Sequence, residues 1–187
     1  MAPTEITSEQ ILADSGVSKG SLYHHFVDFP DLIEQAQVFL FSAYVGESIE
    51  AINSLITQTS SRQEVLGGLK AIARAPQMPS PEKVRSILIE SIAKSIRSDR
   101  MRELMAVEQE KLVEAISDLF REAQERGWAN PKLNPRVVAV FIIANSLGQI
   151  VADLSSEHID RESWYRLFDR VLENVLFKVD ETVGESL

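Results

Sequence analysis

Apolar residues recur at helical spacing along almost the whole chain, and nowhere does the alternation of a half-buried strand persist. Ile11, Leu12, Val17, Leu22 and Phe26 form an inward set on two short segments parted by Gly16. A longer periodic run begins at Asp28 or Pro30. It passes through Leu32, Val38, Phe39, Tyr44, Ile49 and Ile52 towards Thr57, a length that predicts a connector between the N-terminal unit and the rest. Thr59 to Arg62 interrupts the pattern, and Gln63 to Ala75 resumes it despite Gly67 and Gly68. Pro76, Pro79 and Pro81 then break it, because proline removes a donor and biases its preceding residue away from helix. Ser80 is placed to cap the next helix, with Pro81 at its first position. That helix is predicted to reach about Ser98, and another to run from Arg100 to Arg126, where Gly127 closes it. Asn134 and Pro135 open a strongly apolar helix to about Leu154. After a loop from Ser155 to Asp160, a last helix runs from Arg161 to about Val179. The fold class expected is all-α, without internal repeats.

The chemistry concentrates in residues 7 to 26. Thr7 and Gln10 have the spacing of a capping box, in which the Thr7 hydroxyl accepts from the Gln10 amide and Gln10 reaches back to the amide of Thr7. Gly16 sits where a helix ends in the left-handed region, which a residue without Cβ adopts at least cost. Ser18 is placed to cap the following helix, with Ser21 three residues on. Lys19, Ser21, Tyr23 and His24 are left to face outward. A helix, a glycine-closed turn and a short second helix form the layout of a helix-turn-helix that lays its second helix in a DNA major groove. A plain helical hairpin with two caps would show the same turn chemistry.

The run Gly16-Val17-Ser18-Lys19-Gly20-Ser21-Leu22-Tyr23-His24-His25-Phe26, within residues 7 to 32, resembles the DNA-binding head of TetR-family transcriptional regulators. The resemblance implies a homodimer with two heads and a ligand-responsive body. It divides the chain into a helix-turn-helix head over 1–30 and a helical regulatory and dimerisation domain over 31–187. Thr7 would touch phosphate, and Ser18, Lys19, Gly20 and Ser21 would lie at the N-terminus of the recognition helix, where free amides favour a phosphate. Tyr23 and His24 would reach phosphate or base edges. Phosphate contacts fix register, and base contacts specify sequence.

Three features depart from the family pattern. The family has a further helix before the capping threonine, and only Met1 to Ile6 precede it here, so the head is expected to lack its first helix. Phe29 stands where the family usually has a lysine. Residues 1–30 hold one basic residue, Lys19, against four acidic ones, Glu5, Glu9, Asp14 and Asp28. That is a weak electrostatic footprint for DNA, whose affinity for proteins comes largely from neutralised phosphates. Two functions follow as alternatives. One is a repressor released from operator DNA by a small molecule. The other is a helical small-molecule-binding or scaffold dimer whose truncated head no longer binds DNA.

Self-association is expected through the helices 134–154 and 161–179. From Val137 onward apolar residues occupy nearly all faces, and Ala144, Gly148 and Ala152 form a stripe of small side chains that permits close helix approach. The last helix carries Leu167, Phe168, Val171, Leu172, Val175, Leu176 and Val179 at helical spacing. Ordinary packing within one chain is the plain alternative, and the family pairs these two helices across a dimer. The resemblance also places an effector site between about Leu66 and Leu147. Asn145 and Gln149 are its polar candidates and Met105, Phe120 and Phe141 its walls, unless neighbouring backbone or a dimer partner satisfies the two amides. A mostly apolar lining would favour a hydrophobic or amphipathic small molecule.

Composition narrows the partners further. Net charge −9 argues against non-specific binding to nucleic acid or anionic lipid by the body as a whole. With no cysteine, disulfides, thiol catalysis and thiolate metal sites are excluded, which suits a cytoplasmic protein. Val137 to Leu154 is interrupted by Asn145, Ser146, Gln149 and Asp153, so it reads as a buried helix, not a membrane span. His24 and His25 are adjacent and diverge by about 100° on a helix, so they cannot chelate one metal together. His158 lies in a loop with Glu157 and Asp160, which reads as solvated surface. There is no phosphate-binding loop, dinucleotide glycine fingerprint or activated serine motif. No enzymatic activity, cofactor, metal or membrane partner is expected.

Overall fold

Caps and glycines set the boundaries of the helices. The computed structural model describes residues 7–74, 81–155, 157 and 159–178, and these contain helices and turns but no strand. In order, the α-helices are α1 (Ser8–Ser15), α2 (Lys19–His25), α3 (Phe29–Gln58), α4 (Arg62–Arg74), α5 (Pro81–Ser95), α6 (Asp99–Glu125), α7 (Pro135–Asp153) and α8 (Arg161–Val171). A π turn, Leu172–Leu176, extends α8. The expected readings of Met1 to Ile6, the Pro76 and Pro79 break, the Ser80 cap, His158 and Val179 lie outside the described residues.

Each described boundary has a local cause. Asp28 caps α3 by accepting from the Asp31 amide at 2.8 Å, with Pro30 in the first turn where its missing N–H costs nothing. The helix expected to reach Ser98 stops at Ser95, because the Arg97 and Ser98 amides turn back to the Lys94 carbonyl. Ser98 is thereby freed to cap α6, accepting from Met101. Gly127, at φ 71°, follows the end of α6. The Asn134 side chain accepts from the amides of Arg136 and Val137, so α7 opens as its sequence predicts. Asp160 caps α8 through the amides of Glu162 and Ser163.

The C-terminal helix departs from expectation. Its regular turns end at Val171, and the chain widens so that the Phe177 amide donates to the Leu172 carbonyl five residues back. The widened turn leaves Leu172, Leu176 and Phe177 all buried. Arg62, at the start of α4, donates to the Phe177 carbonyl at 3.0 and 2.8 Å and closes this end of the body.

The body is organised on α6, which buries nine side chains and packs on α3, α5 and α7. Phe120, 1% exposed, meets Phe177 edge to face with ring centroids 5.8 Å apart. Gly68 brings α4 hard against α3, since a methyl there would collide with the Leu55 side chain. Helix α7 is apolar on nearly all faces but covered on one side only. Val138, Ala139 and Ile143 are buried, whereas Val137, Val140, Phe141 and Val151 remain exposed. By length and composition it is also the one helix among the described residues apolar enough to cross a membrane.

Candidate functional site

Two regions can carry function, the α1–α2 pair and a cavity in the body. In the first, both halves of the capping box form: the Gln10 amide donates to Thr7 Oγ1 at 3.3 Å, and the Thr7 amide donates to Gln10 Oε1 at 3.0 Å. Gly16 closes α1 at φ 67°, and its amide donates to the Leu12 carbonyl at 3.1 Å. Ser18 caps α2 by accepting from the Ser21 amide at 3.1 Å. The result is a tight helix-turn-helix whose second helix begins with free amides.

Thr7, Ser18, Lys19, Gly20, Ser21, Tyr23 and His24 are all exposed, on the first turn of α1 and along α2. Of the expected inward set, Leu22 is buried and Ile11, Leu12 and Phe26 are half-buried. Val17 is a correction: it is 44% exposed, because it lies in the extended turn before Ser18 and no described residue covers it.

Asp31 ties this pair to the body. Its carboxylate accepts from the Val27 amide at 2.9 Å, just past the end of α2, and from the Gln35 side chain at 3.1 Å. It also pairs with Arg100 at the start of α6 at 2.7 Å. The Val27 amide and the Gln35 amide, with Arg100 beside them, hold the carboxyl below its ordinary pKa.

The cavity lies between α3, α4, α6, α7 and α8 and has a volume of about 90 Å³. Tyr44, Ser48 and Ile52, one helical turn apart, give it a wall on α3. Asn145, Ser146 and Gln149 face it from α7, and aliphatic and aromatic side chains such as Leu69, Ile116 and Phe168 complete it. Among the described residues that line it, none is charged. Beside it, Arg74 on α4 grips Asp169 on α8 through two bonds of 3.0 and 2.7 Å, which lowers the Asp169 pKa and raises that of Arg74. Lys70 pairs with Glu173 on the same seam.

Of the five residues expected at a ligand site, the structure brings Asn145 and Gln149 to the cavity and leaves three elsewhere. Met105 is buried nearer the start of α6, and Phe120 is occupied by Phe177. Phe141 is 44% exposed on the open side of α7. A step of four residues turns a helix about 40° past a full circle, so Phe141 stands about 80° from Gln149. The α3 wall and Phe168 and Leu172 were not anticipated, since the expected site stopped between Leu66 and Leu147. The i, i+4, i+8 series Tyr44, Ser48, Ile52 was the available signal.

No family model matches the chain. The HTH-type transcriptional regulator UidR of Escherichia coli K12 is 22% identical over 161 residues, covering 82% of this chain and 73% of that protein. A TetR-family transcriptional regulator from Rhodococcus sp. has a similar structure, with TM-score 0.67 and 20% identity over 94% of this chain and 89% of that one. AibR, solved with isovaleryl coenzyme A and operator DNA, is similar at TM-score 0.56 and 15% identity over 90% of this chain and 88% of that one.

Proposed function

We propose that the chain is a TetR-family transcriptional regulator, a reading supported by its fold and its helix-turn-helix signature, and that it is a homodimeric cytoplasmic repressor released from operator DNA by a small molecule. The head over 1–30 binds DNA and the body over 31–187 binds the effector and the second subunit. One observation carries this reading: α2 presents its capped N-terminus and an unburied polar face, with Lys19, Ser21, Tyr23 and His24 all open. Thr7, Ser18, Lys19 and Gly20 would position the phosphates, and Tyr23 and His24 reach phosphates or base edges. AibR is a neighbour of the same fold whose structure contains both a small molecule and operator DNA.

The dimer would form through α7 and the C-terminal helix, over 134–154 and 161–179. Val137, Val140, Val151 and Leu167 are more than half exposed in the single chain, an apolar face larger than isolated surface residues explain. Ala144 is exposed beside them, and a methyl at Gly148 would meet open space, so these two small residues of the stripe are unused within the chain. The cavity would hold the effector, with Asn145 and Gln149 as its polar contacts.

Gel shifts against the DNA upstream of the protein's own gene test the reading. The full chain should shift that DNA at low salt, and Lys19→Ala should weaken binding and reduce the salt slope by about 1. Tyr23→Ala should weaken it too, without loss of the fold. Light scattering at micromolar concentration should return a dimer. One observation favours the second reading, a dimer that does not bind DNA: Lys19 is the sole basic residue of 1–30. No shift at low salt would put that reading ahead.

A further inference from the structure

The cavity walls carry polar groups of a single kind. Tyr44, Asn145, Ser146 and Gln149 are uncharged, and among the described residues their side chains have no hydrogen-bond partner. Ser48 differs, because its hydroxyl already donates to the Tyr44 carbonyl at 2.8 Å. None of the four is sealed from solvent, so each can exchange a water for the polar group of a ligand. Charge is treated in the opposite way. The charges on the adjoining seam are spent on each other, Arg74 on Asp169 and Lys70 on Glu173. Gln149 also borders a second, water-sized space lined by Trp164, whose indole N–H is buried and has no acceptor.

We propose that the effector is an uncharged molecule with an apolar body and a neutral hydrogen-bonding end, an amide or hydroxyl, seated on Asn145 and Gln149. The proposal rests on the reading of this cavity as the effector site. The two carboxamides each offer a donor and an acceptor, which an amide or alcohol can match and a hydrocarbon cannot. The apolar body lies against Ile52, Leu112 and Ile116. An anion or ammonium ion here would lose its hydration with no opposite charge on the wall, or would have to break the two-bond Arg74–Asp169 pair. At about 90 Å³ the space is tighter than a cavity of about 150 Å³ that takes benzene, so a ring-sized ligand displaces the walls as it enters.

Four probes of one size separate the cases: benzamide, benzyl alcohol, benzoate and benzylammonium, titrated into the full chain at pH 7 by saturation-transfer NMR. Benzamide and benzyl alcohol should bind at least about tenfold tighter than either ion, the factor set by an unpaired charge. Asn145→Leu and Gln149→Leu should each reduce that preference while the melting temperature holds. Benzoate binding as well as benzamide overturns the proposal, and loss of that benzoate binding in Arg74→Gln would identify an anion site instead. Binding of no probe, or benzamide binding indifferent to both α7 variants, overturns it as well. A parallel gel shift isolates the underlying reading: selective benzamide binding that leaves DNA affinity unmoved supports the neutral site and removes its regulatory role.

Discussion

The head and the body are held together by different forces. From Thr7 to Asp28 one side chain, Leu22, is buried, and the remaining order comes from caps, a left-handed glycine and the Asp31 tie. In the body α6 alone buries nine, among them Phe120 and Leu112. Hydrogen bonds at helix ends contribute about 1 kcal/mol each, whereas a buried large apolar side chain contributes about 1.5–3 kcal/mol. The head therefore has defined geometry with little stability of its own, and it depends on its attachment to α3 and α6. The body can tolerate a cavity because so much of its surface is packed elsewhere.

The contrast can be tested by perturbing each region and reading both. Phe120→Ala should have the largest effect, lowering global stability by about 3–5 kcal/mol in a denaturant melt, since it opens a void opposite Phe177. Amide exchange in α1 and α2 should rise with it, because the head leans on the body. Protection there that survived would show a head stable by itself. Leu22→Ala should cost about 2 kcal/mol locally, abolish protection in α1 and α2, and leave the main melting transition in place. A shift of the main transition would mean that head and body unfold as one unit.

The smallest effect concerns the tie. The Asp31 pKa is lower folded than unfolded, so its contribution is complete above the unfolded value of about 3.9 and lost as pH falls through the folded value. Exchange in α2 should quicken on acidification below about pH 4. Asp31→Asn should show weaker protection at neutral pH and a flatter response to acid.

What could be read in the sequence follows the same division. Thr7, Gly16, Ser18 and Asn134 act through their own backbone neighbours, so a short window of sequence contains the whole cause. The cavity depends on residues far apart in the chain, Tyr44 on α3 and Phe168 on α8 among them, and no local window contains their meeting. Asn145 and Gln149 line the cavity, and the sequence marks them because polar residues on an apolar helix need a reason. Phe120 packs on Phe177 away from the cavity, and an aromatic at helical spacing fits a core as well as a pocket. The π turn after Val171 has no sequence marker, because it arises from burying Leu172, Leu176 and Phe177 together.

The close crossing at Gly68 and Leu55 has a mechanical meaning. It pins the far end of α3, so that end acts as a fulcrum. Phe29 lies 26 residues away, an arm of roughly 39 Å at 1.5 Å per residue. Tyr44, Ser48 and Ile52 lie on the arm between fulcrum and tip, where the cavity meets it. A rotation of about 5° there would sweep the tip through roughly 3.4 Å at that rise. In the proposed dimer, with heads on half-sites about 34 Å apart, an arc of that size in each subunit would change their reach by a fifth.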